Sequence, residues 1–134
     1  MTPSPRLLKV CCHRDARGSL LSFEVNSPLP FPLARFFVIK DVPFGAARAE
    51  HPVGCNQLIV AVCGACRALV GPEDERQEFR LESDDAGLLI PSGLWLKLDF
   101  FTPGTVLVVA CDDVYRGGTK RLEEPASDTT DTPG

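Results

Sequence analysis

The chain has no apolar run near the roughly 18 residues that a membrane-spanning helix needs. It has no excess of one charge either, and no stripe of lysine and arginine runs along any expected element; 14 basic residues stand against 18 acidic ones, for a net charge of −4. Nucleic acid and anionic membrane are therefore poor candidate partners. The opening stretch, MTPSPRLLKV, lacks the apolar block of a secretory signal, so the expected location is the cytoplasm. Cysteine is present but without a framework. Cys11 and Cys12 are adjacent, Cys55 and Cys111 are isolated, and the close pair Cys63 and Cys66 has no second pair to complete a zinc site. These thiols read as structural or incidental, since cytosolic thiols stay reduced.

What the chain does have is a succession of short β-branched and aromatic runs. SLLSFEV, ARFFVIKDV, NQLIVAV, CRALV, EFRLES, AGLLIP, LWLKLDFF and GTVLVVAC are separated by turn-forming stretches such as NSPLPFP, VPFG, GPEDE, PSG and TPG. Nearly all of the twelve prolines fall between runs, where a missing N–H costs no ladder bond. With no long 3.6-residue stripe, the pattern predicts an all-β sandwich or barrel. At 134 residues and 44% apolar content the chain is long enough for one core. The expected domain covers 1–116, and the polar stretch 117–134 reads as a mobile tail.

One stretch carries a further pattern. In GAARAEHPVGCNQLIVAVCG, residues 45–64, Gly45, His51, Val53, Gln57 and Gly64 keep the spacing of the first cupin motif, with Val53 and Gln57 where a histidine and a glutamate usually stand. PSGLWL then supplies Pro91 and Gly93 of the second half-motif, with Leu96 where the last ligand belongs. One ligand of four remains, and transition metals need several donors converging on one point. No metal and no cofactor are expected. The frame predicts a cupin jelly-roll β-barrel with His51 at the mouth of a pocket.

Over about Asp15 to Asp112 the sequence resembles the metal-free cupin family of sugar 3,4-ketoisomerases. DARGSLLSFE and PFPLARFFVI resemble its opening strands. Arg48 and His51 match its Arg-Gly-x-His-Ala-His run, Gln57 matches its glutamine, and Trp95 matches the tryptophan of its Pro-x-x-x-Trp turn. The resemblance implies an isomerase acting on dTDP-4-keto-6-deoxyglucose, with histidine moving the C3 proton to C4 through an enediol. It also implies a homodimer with an exchanged N-terminal strand. In this reading His51 is the proton carrier, with Tyr115 or Cys55 as a supplementary acid. Arg35, Phe37, Arg48, Gln57, Val53, Trp95 and Leu96 contact the substrate. Arg35 and Arg48 offer forks for phosphate or carbonyl oxygen, unless they pair with surface carboxylates.

The sequence departs from the family where proton transfer is concerned. Val53 stands at the second histidine and cannot transfer a proton, and Leu96 makes the pocket more apolar. Three functions remain open at this level: a one-histidine sugar ketoisomerase, a redirected isomerase or cyclase of a less polar, polyketide-like intermediate, and a barrel that binds a ligand or partner without catalysis.

Overall fold

The structure, a computed structural model, describes residues 4–82 and 86–114. These form the strands β1 (Arg6–Lys9), β2 (Cys11–Asp15), β3 (Gly18–Ser22), β4 (Glu24–Val25), β5 (Pro28–Leu29), β6 (Arg35–Lys40) and β7 (Arg48–Pro52). They continue with β8 (Gln57–Cys63), β9 (Cys66–Gly71), β10 (Gln77–Leu81), β11 (Ala86–Ile90), β12 (Trp95–Asp99) and β13 (Val106–Cys111). No described residue is helical, and the all-β expectation holds. Tyr115 and the expected tail lie outside the described residues.

Two antiparallel sheets make the barrel. One runs β1-β11-β8-β13-β6 and the other β10-β9-β12-β7, the two-sheet arrangement of a jelly roll. Period-2 alternation decides what lies between them. Ile59 and Ala61 of β8, Leu107 and Val109 of β13, Leu88 and Ile90 of β11, and Leu96 and Leu98 of β12 all enter one buried cluster. Burying a side chain of this size contributes roughly 1.5–3 kcal/mol. The alternate residues of β8, β11 and β13 do not face water freely either. Leu58, Val60, Leu89 and Ala110 join Val10, Leu29 and Phe31 in a second cluster, so the N-terminal segment covers part of the outer face of the five-stranded sheet.

A turn at Gly64 joins β8 to β9, and its φ of 73° is one that residues with a Cβ rarely adopt. A Cβ there would also come within 2.6 Å of the Thr105 backbone. The strands β1 and β2 had no counterpart among the expected runs, because their residues are mostly polar or half-exposed. In this single chain β1 pairs with β11.

Candidate functional site

β6 and β7 are each an edge strand of one of the two sheets. Strand alternation alone would put Arg48 and His51, three residues apart, on opposite faces of β7. The register shows otherwise. Arg48 lies opposite Leu98, Ala49 opposite Lys97 and His51 opposite Leu96, which leaves Glu50 as the inserted residue of a β-bulge. Ala49 and Glu50 both take positive φ, at 69° and 71°. Residues directly opposite one another share a face, and Leu96 and Leu98 belong to the core. The bulge therefore turns both Arg48 and His51 to the interior side of the sheet.

The other sheet carries a polar row on its interior face. Cys111 of β13 lies between Arg35 of β6 and Gln57 of β8, and all three share a face with the core residues of their strands. The Arg35 guanidinium lies 3.4 Å from Cys111 Sγ and 5.0 Å from the Phe37 ring centroid. Burial pushes the Cys111 thiol up to about 11, against the pull of Arg35. Gln57 is only 3% exposed. Its Oε1 is buried with no hydrogen-bond partner among the described residues, and the same is true of Arg48 Nη2. Buried polar groups are nearly always paired, so an acceptor and a donor left open in one interior point to a ligand that carries both.

His51 itself is exposed. Its Nδ1 lies 2.7 Å from the Pro52 carbonyl oxygen, which can only accept, so Nδ1 carries the proton. In the neutral ring Nε2 then holds the free lone pair. Val53 follows β7 and is 1% exposed, bonded through its N–H to Leu94 O and through its carbonyl to Gly93 N, both at 2.9 Å. It belongs to the core, as does Leu96.

The interior faces of the two sheets thus carry Arg35, Phe37, Arg48, His51, Gln57 and Leu96, with Val53 packed in the core. Trp95 is not among them. It lies opposite Pro52 and Gly71, on the face of β12 away from Leu96, and Arg76 stacks on its ring at 3.6 Å. Phe36 and Phe37 take opposite faces as their adjacency requires, Phe36 being 62% exposed and Phe37 packed on the core. Arg17 bonds Asp15 at 2.7 Å, the turn role that its position in DARG suggests. Among the described residues no three of His, Cys, Asp or Glu converge as metal ligands would.

Two contributions had no clear signal in the sequence. One is the bulge, which no residue type announces. The other is Asp112, whose carboxylate holds Asn56 through both backbone N–H (3.0 Å) and Nδ2 (2.7 Å), while Asn56 Oδ1 accepts from Ser92 N at 2.9 Å. This chain of bonds fixes the loop that leads into Gln57.

A family model, FdtA (WxcM-like, C-terminal), matches residues 4–119. The chain belongs to that family. It is 30% identical over 102 residues to the TDP-4-oxo-6-deoxy-alpha-D-glucose-3,4-oxoisomerase of Aneurinibacillus thermoaerophilus, covering 75% of this chain and 73% of that one. It is also similar to the sugar 3,4-ketoisomerase QdtA of Thermoanaerobacterium thermosaccharolyticum, solved in complex with TDP. That match has 26% identity and a TM-score of 0.80, over 87% of this chain and 85% of that one. The TDP-quinovose 3,4-ketoisomerase WlaRB of Campylobacter jejuni matches at 26% identity and a TM-score of 0.79, over 87% and 90% of the two chains. These structures share the cupin-like all-β fold described above.

Proposed function

We propose that this protein is an isomerase of TDP-linked 4-keto-6-deoxyhexoses that moves the carbonyl from C4 to C3, with His51 as the proton carrier. Family membership and the names of its relatives support the isomerase and its substrate class. The observation that carries the finer reading is the pair of unmatched buried groups. An α-hydroxyketone presents one hydroxyl donor and one carbonyl acceptor on adjacent carbons. Gln57 Oε1 is an open acceptor and Arg48 Nη2 an open donor, so the interior complements that unit.

The steps follow from the groups present. His51 Nε2 removes the proton on C3, and the electron pair forms the C3–C4 double bond of an enediol. Arg48 stabilises negative charge on the C4 oxygen as it develops. Reprotonation at C4 and loss of the O3 proton leave the ketone at C3. Arg35, a fixed cation at the mouth, suits the diphosphate.

Proton NMR in D2O with TDP-4-keto-6-deoxyglucose tests this. Deuterium is expected at C3 or C4 faster than in a protein-free control, and roughly 100-fold or more slower with His51→Ala, the usual scale of a general base. Because His51 is exposed, that variant should melt within a degree or two of the parent. Unchanged exchange in His51→Ala would remove His51 from the mechanism.

We also propose a homodimer. The outer face of the five-stranded sheet leaves Phe36, Val38 and Leu33 exposed. A pocket of about 260 Å3, lined by Phe23, Leu29, Leu33, Phe36, Leu58, Val108 and Ala110, opens on the same face. A second copy would cover it.

A further inference from the structure

Three segments that frame the site meet at Asn56, the last residue of the loop between β7 and β8. Its backbone N–H and its Nδ2 donate to the two carboxylate oxygens of Asp112, at 3.0 and 2.7 Å, and the Asp112 N–H returns a bond to the Asn56 carbonyl at 3.3 Å. Its Oδ1 accepts from the Ser92 N–H at 2.9 Å. This clasp ties the loop both to the end of β13 and to the turn that leads into β12.

The clasp governs where two site residues sit. Asp112 follows Cys111, which lies directly opposite Gln57. On the other side, the turn 91–94 holds Val53 through Gly93 N and Leu94 O, and Val53 stands two residues after His51. Gln57 and His51 are thus referred to each other through Asn56. The Gln57 side chain does not do this through its oxygen, because Oε1 makes no hydrogen bond among the described residues. The direction of that acceptor follows from the backbone that bears it, and this backbone enters β8 from Asn56. Hydrogen bonds to a carboxylate are roughly twice as strong as neutral ones, which suits Asp112 to anchor a loop. Both of its oxygens accept from Asn56, so it acts on the loop and not on a bound sugar.

We propose that Asp112 is a positioning residue of the isomerase: through Asn56 it places Gln57 Oε1, and it supports the chemical step without contributing to nucleotide binding. This inference rests on the ketoisomerase reading above and adds a residue to that same site. A displacement of about 1 Å at a reacting centre costs on the order of 100-fold in rate, so a clasp far from the chemistry is able to control it.

The test compares the parent with Asp112→Asn, with Asn56→Asp and with the double variant N56D/D112N. The first sets an amide donor against the Asn56 Nδ2, and the second sets carboxylate against carboxylate. The double variant exchanges the two side chains and restores each bond: the amide now at 112 accepts from the backbone N–H at 56 and donates to the carboxylate there, whose other oxygen accepts from Ser92 N. The readouts are kcat and KM with TDP-4-keto-6-deoxyglucose, TDP affinity by calorimetry, and the melting temperature. Each single variant is expected to lose roughly 10- to 100-fold in kcat with TDP affinity unchanged, and the double variant to recover most of the loss. Single variants that melt earlier but keep the parent's kcat when folded would show a clasp that serves stability alone, and would overturn the inference. A loss that the exchange does not rescue, or one seen in TDP affinity and not in kcat, would overturn it as well. These failures leave the ketoisomerase reading standing, because the parent turns over in each of them. A folded parent that does not turn over the keto sugar removes that reading, and this inference with it.

Discussion

At Gln57 the chain accepts a cost that a purely structural residue would avoid. A buried amide oxygen without a partner costs roughly 1–3 kcal/mol relative to a satisfied one, and Gln57 Oε1 is in that position. Leucine is close in size and carries no polar atom. Gln57→Leu is therefore expected to melt at or above the temperature of the parent by differential scanning fluorimetry, while losing turnover. A variant that unfolds early would instead mean that Gln57 serves the fold. At the same scale, the identities of His51, Arg48 and Gln57 were legible as site candidates because their spacing is a property of the chain. The partnership of Asp112 with Asn56 was not, since 56 residues separate them and no local pattern links the two.

The bulge in β7 is the element on which the site depends. Removing Ala49 and Glu50 together would make Arg48 and His51 neighbours and send one of them to the outer face. This double deletion is expected to abolish turnover in a protein that still shows a β-type circular dichroism spectrum. Glu50→Gly is the contrasting case. The left-handed conformation costs a residue with a Cβ about 1–2 kcal/mol and glycine almost nothing, so this variant should keep activity and gain up to about 1 kcal/mol in urea melts.

Elsewhere, β9 and β12 are joined by a two-pronged ion pair. Arg67 Nε and Nη2 donate to the Asp99 carboxylate at 2.8 and 2.6 Å, directly across the ladder. The hydrogen bonds from Arg67 hold the Asp99 carboxyl below its ordinary value. A carboxyl lowered on folding contributes stability above its unfolded value of about 3.9, which is lost as pH falls through the folded value. Asp99→Asn should therefore be less stable than the parent by roughly 1–3 kcal/mol at pH 7, and the difference should shrink in urea melts near pH 3.

At the scale of the whole molecule, Arg35 and Arg48 stand on the edge strands β6 and β7 of the two sheets. TDP should raise the melting temperature in proportion to the logarithm of its concentration above Kd, since it would bind only the folded chain. The exposed apolar face makes a separate prediction. Phe36 faces outward, so Phe36→Glu should shift sedimentation from dimer to monomer; an unchanged parent-like dimer would mean that the copies meet elsewhere.

The sequence by itself determined most of the succession of strands and turns, β1 and β2 excepted, because alternation and turn chemistry are local. NQLIVAV became β8 and CRALV became β9, with Gly64 turning between them. It also determined which chemistry-bearing side chains exist, and that Val53 removes a second imidazole. Only the tertiary structure decided which way those side chains point. Trp95 faces outward and Leu96 inward because β12 pairs with β9 and β7 in one particular register. Arg48 joins His51 because one extra residue is absorbed in β7. A single-residue slip inverts every side chain of a strand, and that slip is set by the neighbouring strand, which lies far away in sequence.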